Sequence, residues 1–262
     1  MTAPSRDTLL ETRNLCKSFK GFVAVSGVNL KVERGTIHAL IGTNGAGKTT
    51  CFNLLTKFLE PTSGQIFYKG TDITAETPVG VARRGMVRSF QISAVFPHLT
   101  VLDNVRIALQ RVLGTSFHFW RSQKTLDALN PRALELLSQV GLEAYSRRLA
   151  VELPYGQKRA LEIATTLAQD PELMLLDEPT QGMGHEDVDQ VMALIKSVSA
   201  QRTILMVEHN MNVVSQISDR ITVLARGAIL AEGRYSEIAA HPDVITAYMG
   251  TDAHLTAAAG AA

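Results

Sequence analysis

The sequence predicts an α/β fold: a mostly parallel sheet flanked by helices, with antiparallel β elements and an inserted helical subdomain. Three observations carry that reading. Apolar residues 37–41 lead into the glycine-rich run GTNGAGKTT at 42–50, which opens into a helical pattern over 48–56. Strand-like runs return at 173–176, 203–207, 220–225 and 228–231 with helices between the first three, the alternation of a parallel sheet covered by helices. Between these halves, from about residue 91, the apolar spacing turns helical.

Taken in order, residues 8–41 alternate as strands do, with runs at 9–15, 28–32 and 37–41. The 42–50 run fits G-x-x-x-x-G-K-[ST], with Gly42, Gly47, Lys48 and Thr49 at the fixed positions. Gly42, Gly45 and Gly47 let the backbone curl, so that successive N–H groups of the loop, including those of Thr43, Asn44, Ala46 and Thr50, point at phosphate oxygens. The helix N-terminus adds partial positive charge there. Lys48 reaches the β- and γ-phosphates, and the Thr49 hydroxyl ligates Mg²⁺. The strand before the run and the helix after it separate it from a plain glycine-rich turn. The core is read as a P-loop NTPase that binds a nucleoside triphosphate.

Short strands are expected at 64–68 and 86–90. Val101, Val105 and Leu109 then share one helical face, and Leu134, Leu137 and Val140 share another. Asn130-Pro131 starts that second helix and Gly141 ends it. Residues 110–128, with Phe117, Phe119 and Trp120, form a long connection read as packing locally rather than as a partner surface. Turns at Arg226-Gly227 and Glu232-Gly233 close the last strands, and the Ala- and Thr-rich tail after Gly250 reads as a frayed end.

The chain has 262 residues, 45% of them hydrophobic and 19% charged, enough for a substantial core in one or two domains. A net charge of +1 gives no electrostatic reason to expect nucleic acid as a partner. Two cysteines, Cys16 and Cys51, imply no disulfide framework, and Cys51 reads as a packing residue of the P-loop helix. The N-terminus lacks an apolar signal core, and no stretch approaches the ~20 apolar residues of a membrane span. Any membrane role is therefore expected to be peripheral. No internal repeat is present, which argues against two fused nucleotide domains.

The second half supplies the carboxylates. Leu173-Met174-Leu175-Leu176-Asp177-Glu178 reads as a buried strand ending in two acids. Beside a P-loop strand, Asp177 holds Mg²⁺ directly or through water, and Glu178 polarises the attacking water. General-base help of this kind is worth roughly 10²–10⁴-fold in rate. The 203–207 run leads into Glu208-His209, at the strand end where ligands gather in open α/β sheets, so the His209 imidazole is placed to hydrogen-bond the γ-phosphate. Gln91, just after the 86–90 strand, is expected to reach the metal and the water through its amide oxygen.

The ordered set GTNGAGKTT, Gln91, Leu153-Pro154-Tyr155-Gly156-Gln157, Leu175-Leu176-Asp177-Glu178-Pro179 and His209 resembles the ATPase subunits of ABC transporters, over about residues 8–250. The resemblance implies a single nucleotide-binding domain using ATP and Mg²⁺. Residues 8–90 and 168–250 would form its catalytic core, residues 91–167 a helical subdomain that docks a membrane permease, and residues 251–262 a flexible tail. It also implies that Phe19 stacks on adenine, and that two subunits sandwich ATP so that Gly156 and Gln157 face the partner's nucleotide. Residues 155–164, 206–211 and 241–250 are similar to the ATP-binding subunits of branched-chain amino acid importers, a likeness that implies uptake of branched-chain amino acids or related small polar solutes, since relatives carry urea, amides and aromatic acids. That likeness implies permease subunits and a sister ATPase as partners, in a heterodimer or a homodimer, with an external solute-binding protein acting indirectly. It places the chain at the cytoplasmic face of the cell membrane. The runner-up readings are a lipid-export ATPase and a soluble ABC ATPase; the 110–128 stretch and the 241–250 ending favour the importer.

Two departures fall at dimer-facing positions. Pro154 stands where the family places serine, and proline offers neither a hydroxyl nor an N–H. Gly184 stands where many relatives place aspartate. Thr43 in place of a common proline is read as harmless. The residues acting within the chain, Lys48, Thr49, Gln91, Asp177, Glu178 and His209, match the family pattern. The expectation is of unequal composite sites, the one completed by Pro154 turning over more slowly.

Overall fold

The computed structural model describes residues 8–89, 95–112 and 127–249. Gln91, the aromatic residues Phe117, Phe119 and Trp120, and the tail 251–262 lie outside the described residues. In chain order the elements begin with β1 (Thr8–Phe19), β2 (Phe22–Val28), β3 (Lys31–Glu33), β4 (Ile37–Gly42), α1 (Lys48–Leu55), β5 (Ser63–Tyr68), β6 (Thr71–Asp72) and α2 (Pro78–Arg83). There follow β7 (Met86–Ser89), α3 (Val101–Val112), α4 (Asn130–Gln139), α5 (Tyr155–Leu167), β8 (Leu173–Asp177) and α6 (His185–Ser199). The chain continues through β9 (Thr203–Val207), α7 (Met211–Ile217), β10 (Arg220–Ala225), β11 (Ala228–Gly233), α8 (Tyr235–Ala239) and α9 (Pro242–Met249). Two compact units result, one from residues up to Arg84 together with those from Gln201 onward, the other from Gly85–Ala200.

In the first unit, β4 lies between β10 and β9, parallel to both, and β11 adds antiparallel to β10. All residues of β4 and β9 are buried, as expected of parallel strands covered on both faces. An antiparallel sheet of order β2-β1-β5-β6, with β3 also paired to β1, completes the unit. The β1–β2 hairpin is absent from the sequence reading. It turns at Lys20-Gly21, both with positive φ (46° and 93°), a two-residue turn without the Asn-Gly or Asp-Gly signal. The expected 28–32 strand is broken in two. Asn29 Oδ1 accepts from Asn14 N at 2.8 Å and its Nδ2 donates to Gly27 O at 2.9 Å, local bonds that compete with the ladder. β11 runs through Gly233, so Glu232-Gly233 is strand rather than a closing turn.

In the second unit, β7 and β8 pair in parallel. The α4 stripe is shifted from expectation: Ala133, Leu136, Leu137 and Val140 are buried, while Leu134 is only half-buried. Gly141 ends α4 as expected, at φ 72°, with Leu142 N donating to Leu137 O at 2.7 Å and Gly141 N to Ser138 O at 3.1 Å. This is the Schellman closure that favours glycine.

His38 is a buried polar group in the middle of β4. Its Nε2 lies 2.8 Å from Thr222 Oγ1. The Thr222 hydroxyl donates to Glu232, so its oxygen is left to accept from the imidazole N–H. Burial first, and the nearby Arg220 charge second, push the imidazole down to about 3. A histidine lowered in the fold binds its proton more readily when unfolded. Its contribution is therefore complete above about pH 6.5 and is lost as pH falls from 6.5 toward 3, at up to about 1.4 kcal/mol per pH unit. Urea unfolding from pH 7.5 to 4.5 is expected to show this slope in the wild type and a shallower one in His38→Gln; identical slopes would contradict it.

Candidate functional site

The P-loop leaves β4 at the sheet edge where β9 also ends. The register pairs Leu40 with Val207, so Gly42 and His209 each lie just beyond that paired level. Gly42, at φ 155°, packs so tightly on β10 that a Cβ would sit 2.3 Å from Leu224 O. Gly47, at φ 102°, would bring one within 2.5 Å of Ala24 O on β2. Ala46 N donates to Thr43 O at 3.1 Å, Gly227 N to Ala46 O at 2.9 Å and Ser26 N to Gly227 O at 2.8 Å. The β10–β11 turn thereby fastens the loop to the β1–β2 hairpin.

Lys48 is buried and folds back along the loop, its Nζ donating to Gly42 O at 2.7 Å and Thr43 O at 3.0 Å. Asn44, Gly45 and Thr49 are exposed, and Thr43 and Thr50 half-buried. α1 has no side-chain cap and no acidic residue in its first turn, so its N-terminal dipole is left to an anion. These features fit a nucleotide's phosphates. Behind the loop, Cys51 is fully buried on α1 and burial pushes its thiol up to about 12, the behaviour of a packing residue.

His209 is exposed at the end of β9. The buried Glu208 carboxylate accepts from His209 N at 3.1 Å and Asn210 N at 3.3 Å, and Asn210 caps α7, fixing the turn that carries the imidazole. Phe19 is 42% exposed at the tip of β1, with Lys17 Nζ 5.1 Å from its ring centroid. Phe22 pairs with it across the turn and is 67% exposed, an aromatic neighbour the sequence reading missed. Two exposed rings suit stacking on a flat base.

In the second unit, Ser89 is in register with Leu176, so β7 and β8 end at one edge. Asp177 is buried and Arg88 donates to its Oδ2, a partner sequence reasoning did not anticipate. Glu178 follows, half-buried, with a left-handed φ of 45° that few non-glycine residues adopt. Among the described residues no group of three or more His, Cys, Asp or Glu side chains could form a self-contained metal cage. The Thr49 hydroxyl in the first unit and the Asp177 carboxylate in the second are each oxygen donors of the kind a hard cation takes.

Pro154 is the exposed N-cap of α5, with Lys158 N bonded to its carbonyl at 2.9 Å and no side-chain cap in place of the missing hydroxyl. Gly156 is buried, and a Cβ there would meet Asp187 Oδ1 at 2.6 Å. Gln157 is half-buried. Gly184 caps α6, again without a side-chain bond.

Residues 25–181 match the family described as ABC transporter, and residues 228–254 match the branched-chain amino acid ATP-binding cassette transporter. The chain is 40% identical to the high-affinity branched-chain amino acid transport ATP-binding protein BraF of Pseudomonas aeruginosa, over 92% of this chain and 98% of BraF. It is 39% identical to LivG of Escherichia coli, with the same coverage. Among solved structures, the ADP conformation of MJ1267, an ATP-binding cassette of an ABC transporter, superposes with a TM-score of 0.82 at 28% identity, covering 93% of this chain and 99% of that one. A dimeric post-hydrolysis cassette bound to ADP and phosphate, MJ0796, gives 0.72 at 25% identity, covering 87% and 99%.

Proposed function

This chain belongs to the ABC transporter family of ATP-binding cassettes, and from that premise we propose that its ATP hydrolysis drives import of branched-chain amino acids through a membrane permease. One observation carries the importer reading: the cassette match is followed, at residues 228–254, by the C-terminal match to branched-chain amino acid transporters. The chain is an ATPase. Lys48 and the α1 amides bind the phosphates, Phe19 stacks on adenine, Glu178 polarises the water and His209 hydrogen-bonds the γ-phosphate. Mg²⁺, when bound, neutralises charge on the phosphate oxygens; Thr49, Asp177 and Gln91 are its proposed ligands.

Among the described residues no helix is long and apolar enough to cross a membrane. The proposed place of the chain is peripheral, on the cytoplasmic face. Residues 91–167 are the proposed permease-docking subdomain, between core segments 8–90 and 168–250. An apolar patch there supports that role: Phe96, Leu99, Leu149 and Val151 are all exposed. Ala150 N donates to Leu99 O at 3.0 Å and Val151 N to Pro97 O at 2.8 Å, which binds the two strips into one surface.

A sister ATPase completes the dimer, and a solute-binding protein outside delivers the solute. With no hydroxyl at Pro154, the Gly156 amide and the α5 dipole carry the trans contact to the sister's γ-phosphate, so the site this chain completes turns over more slowly. Affinity capture of the tagged chain from detergent-solubilised membranes of its host is expected to recover two multi-span permease subunits and a second ATPase. Recovery of lipid-export machinery, or of the chain only from the soluble fraction, would overturn the importer reading.

A further inference from the structure

Within the unit of residues 85–200, the helix that opens on the 153–157 motif is tied to the strand that ends in the two acids. Arg159 on α5 is buried, at 6% exposure. Its Nη1 donates to Glu162 Oε2 at 2.6 Å along the same helix, and its Nη2 donates to the backbone carbonyl of Asp177 at 3.1 Å. That carbonyl belongs to the peptide joining Asp177 to Glu178. On the far side of the same peptide plane is the φ rotation of Glu178, held at 45°. Arg88 grips Asp177 from its other end, at the carboxylate.

Stability alone gives no reason for an ion pair here. The Arg159 and Glu162 side chains are 7% and 10% exposed, and desolvating two charges commonly offsets what their attraction returns. What the pair supplies is direction. A guanidinium is planar and its donors are fixed relative to one another, so satisfying one nitrogen with Glu162 sets where the other points. The other points at the peptide whose orientation governs a strained residue.

We propose that Arg159, anchored by Glu162, is a positioning residue for the hydrolytic carboxylate, holding the Asp177–Glu178 peptide in the orientation that aims Glu178. This rests on the reading of Glu178 as the group that polarises water. The same helix begins at the motif assigned to the sister's nucleotide.

The test uses the assembled transporter, with permease, sister ATPase and full-length chain. It compares wild type, Arg159→Lys, the double variant Arg159→Met/Glu162→Met, Glu178→Gln, and the double variant in the Glu178→Gln background. Replacing both partners leaves no orphaned buried charge, and binding of a fluorescent ATP analogue reports folding. The double variant is expected to lose roughly 10–100-fold in kcat with KM for ATP within about twofold, the scale seen when groups supporting a reactive site are removed. Arg159→Lys, which keeps a donor for the carbonyl, recovers part of that loss. In the Glu178→Gln background the double variant adds no further loss, because the clamp acts through Glu178. Unchanged kcat, a parallel rise in KM, or an additive loss in that background would overturn the proposal. A wild-type assembly without ATPase activity, or a fully active Glu178→Gln, would instead remove the underlying reading of the site, and the proposal with it.

Discussion

Glu178→Gln is expected to slow hydrolysis at this chain's own P-loop by roughly 10²–10⁴-fold while leaving ATP affinity unchanged. The amide matches the carboxylate in shape but cannot accept a proton from water. The loss therefore falls on kcat and kcat/KM together, the mark of an interaction made only in the transition state. ATP favours the closed dimer, so the variant accumulates in that form. Rapid-quench single turnover on the assembled transporter measures the effect. The same experiment, repeated with the corresponding glutamate of the sister subunit replaced, reports on Pro154. With the sister disabled, this chain's P-loop site keeps the faster residual rate; with Glu178 replaced, only the slower site completed by Pro154 remains. Equal residual rates would contradict unequal sites, and an undiminished rate in Glu178→Gln would contradict its role.

Lys48→Ala is expected to raise the dissociation constant for ATP by roughly 10–100-fold, the equivalent of one charge-assisted hydrogen bond at about 1.5–3 kcal/mol. In the fold the ammonium is buried and bonded to the Gly42 and Thr43 carbonyls, so it is already ordered before nucleotide arrives. Little conformational entropy remains to be lost on binding, which favours the upper part of that range. Fluorescence titration with an ATP analogue measures it; a dissociation constant within twofold of wild type would contradict the phosphate role of Lys48.

The parts of the site that were legible in the sequence are those whose chemistry requires neighbours along the chain. A phosphate loop needs its glycines, lysine and threonine in sequence, and the observed loop puts Gly42 and Gly47 where a Cβ would strike Leu224 O and Ala24 O. Asp177 and Glu178 were legible as the polar end of an apolar strand, and β8 is buried along its whole length. Parallel pairing of β4, β9 and β10 followed from strand–helix alternation. The α/β fold stands accordingly.

What escaped notice acts across the chain or in pieces too short for periodicity. Arg88 meets Asp177 and Arg159 meets the Asp177 carbonyl through contacts distant in sequence, which no local pattern announces. α2 spans only Pro78–Arg83, although its cap was readable: the Thr77 side chain accepts from Gly80 N, followed by proline at the first helical position. The β1–β2 hairpin hid behind Lys20-Gly21, a turn whose left-handed lysine has no sequence signal. The strain at Glu178 is likewise a property of backbone geometry, invisible until the strand end is built.

The most direct measurement is uptake of radiolabelled leucine into proteoliposomes holding this chain, its sister ATPase and the permease, with ATP on the chain's side and the solute-binding protein on the other. Accumulation that requires ATP and is strongly slowed by Glu178→Gln is the predicted result. Hydrolysis of ATP with no uptake of any branched-chain amino acid would contradict it.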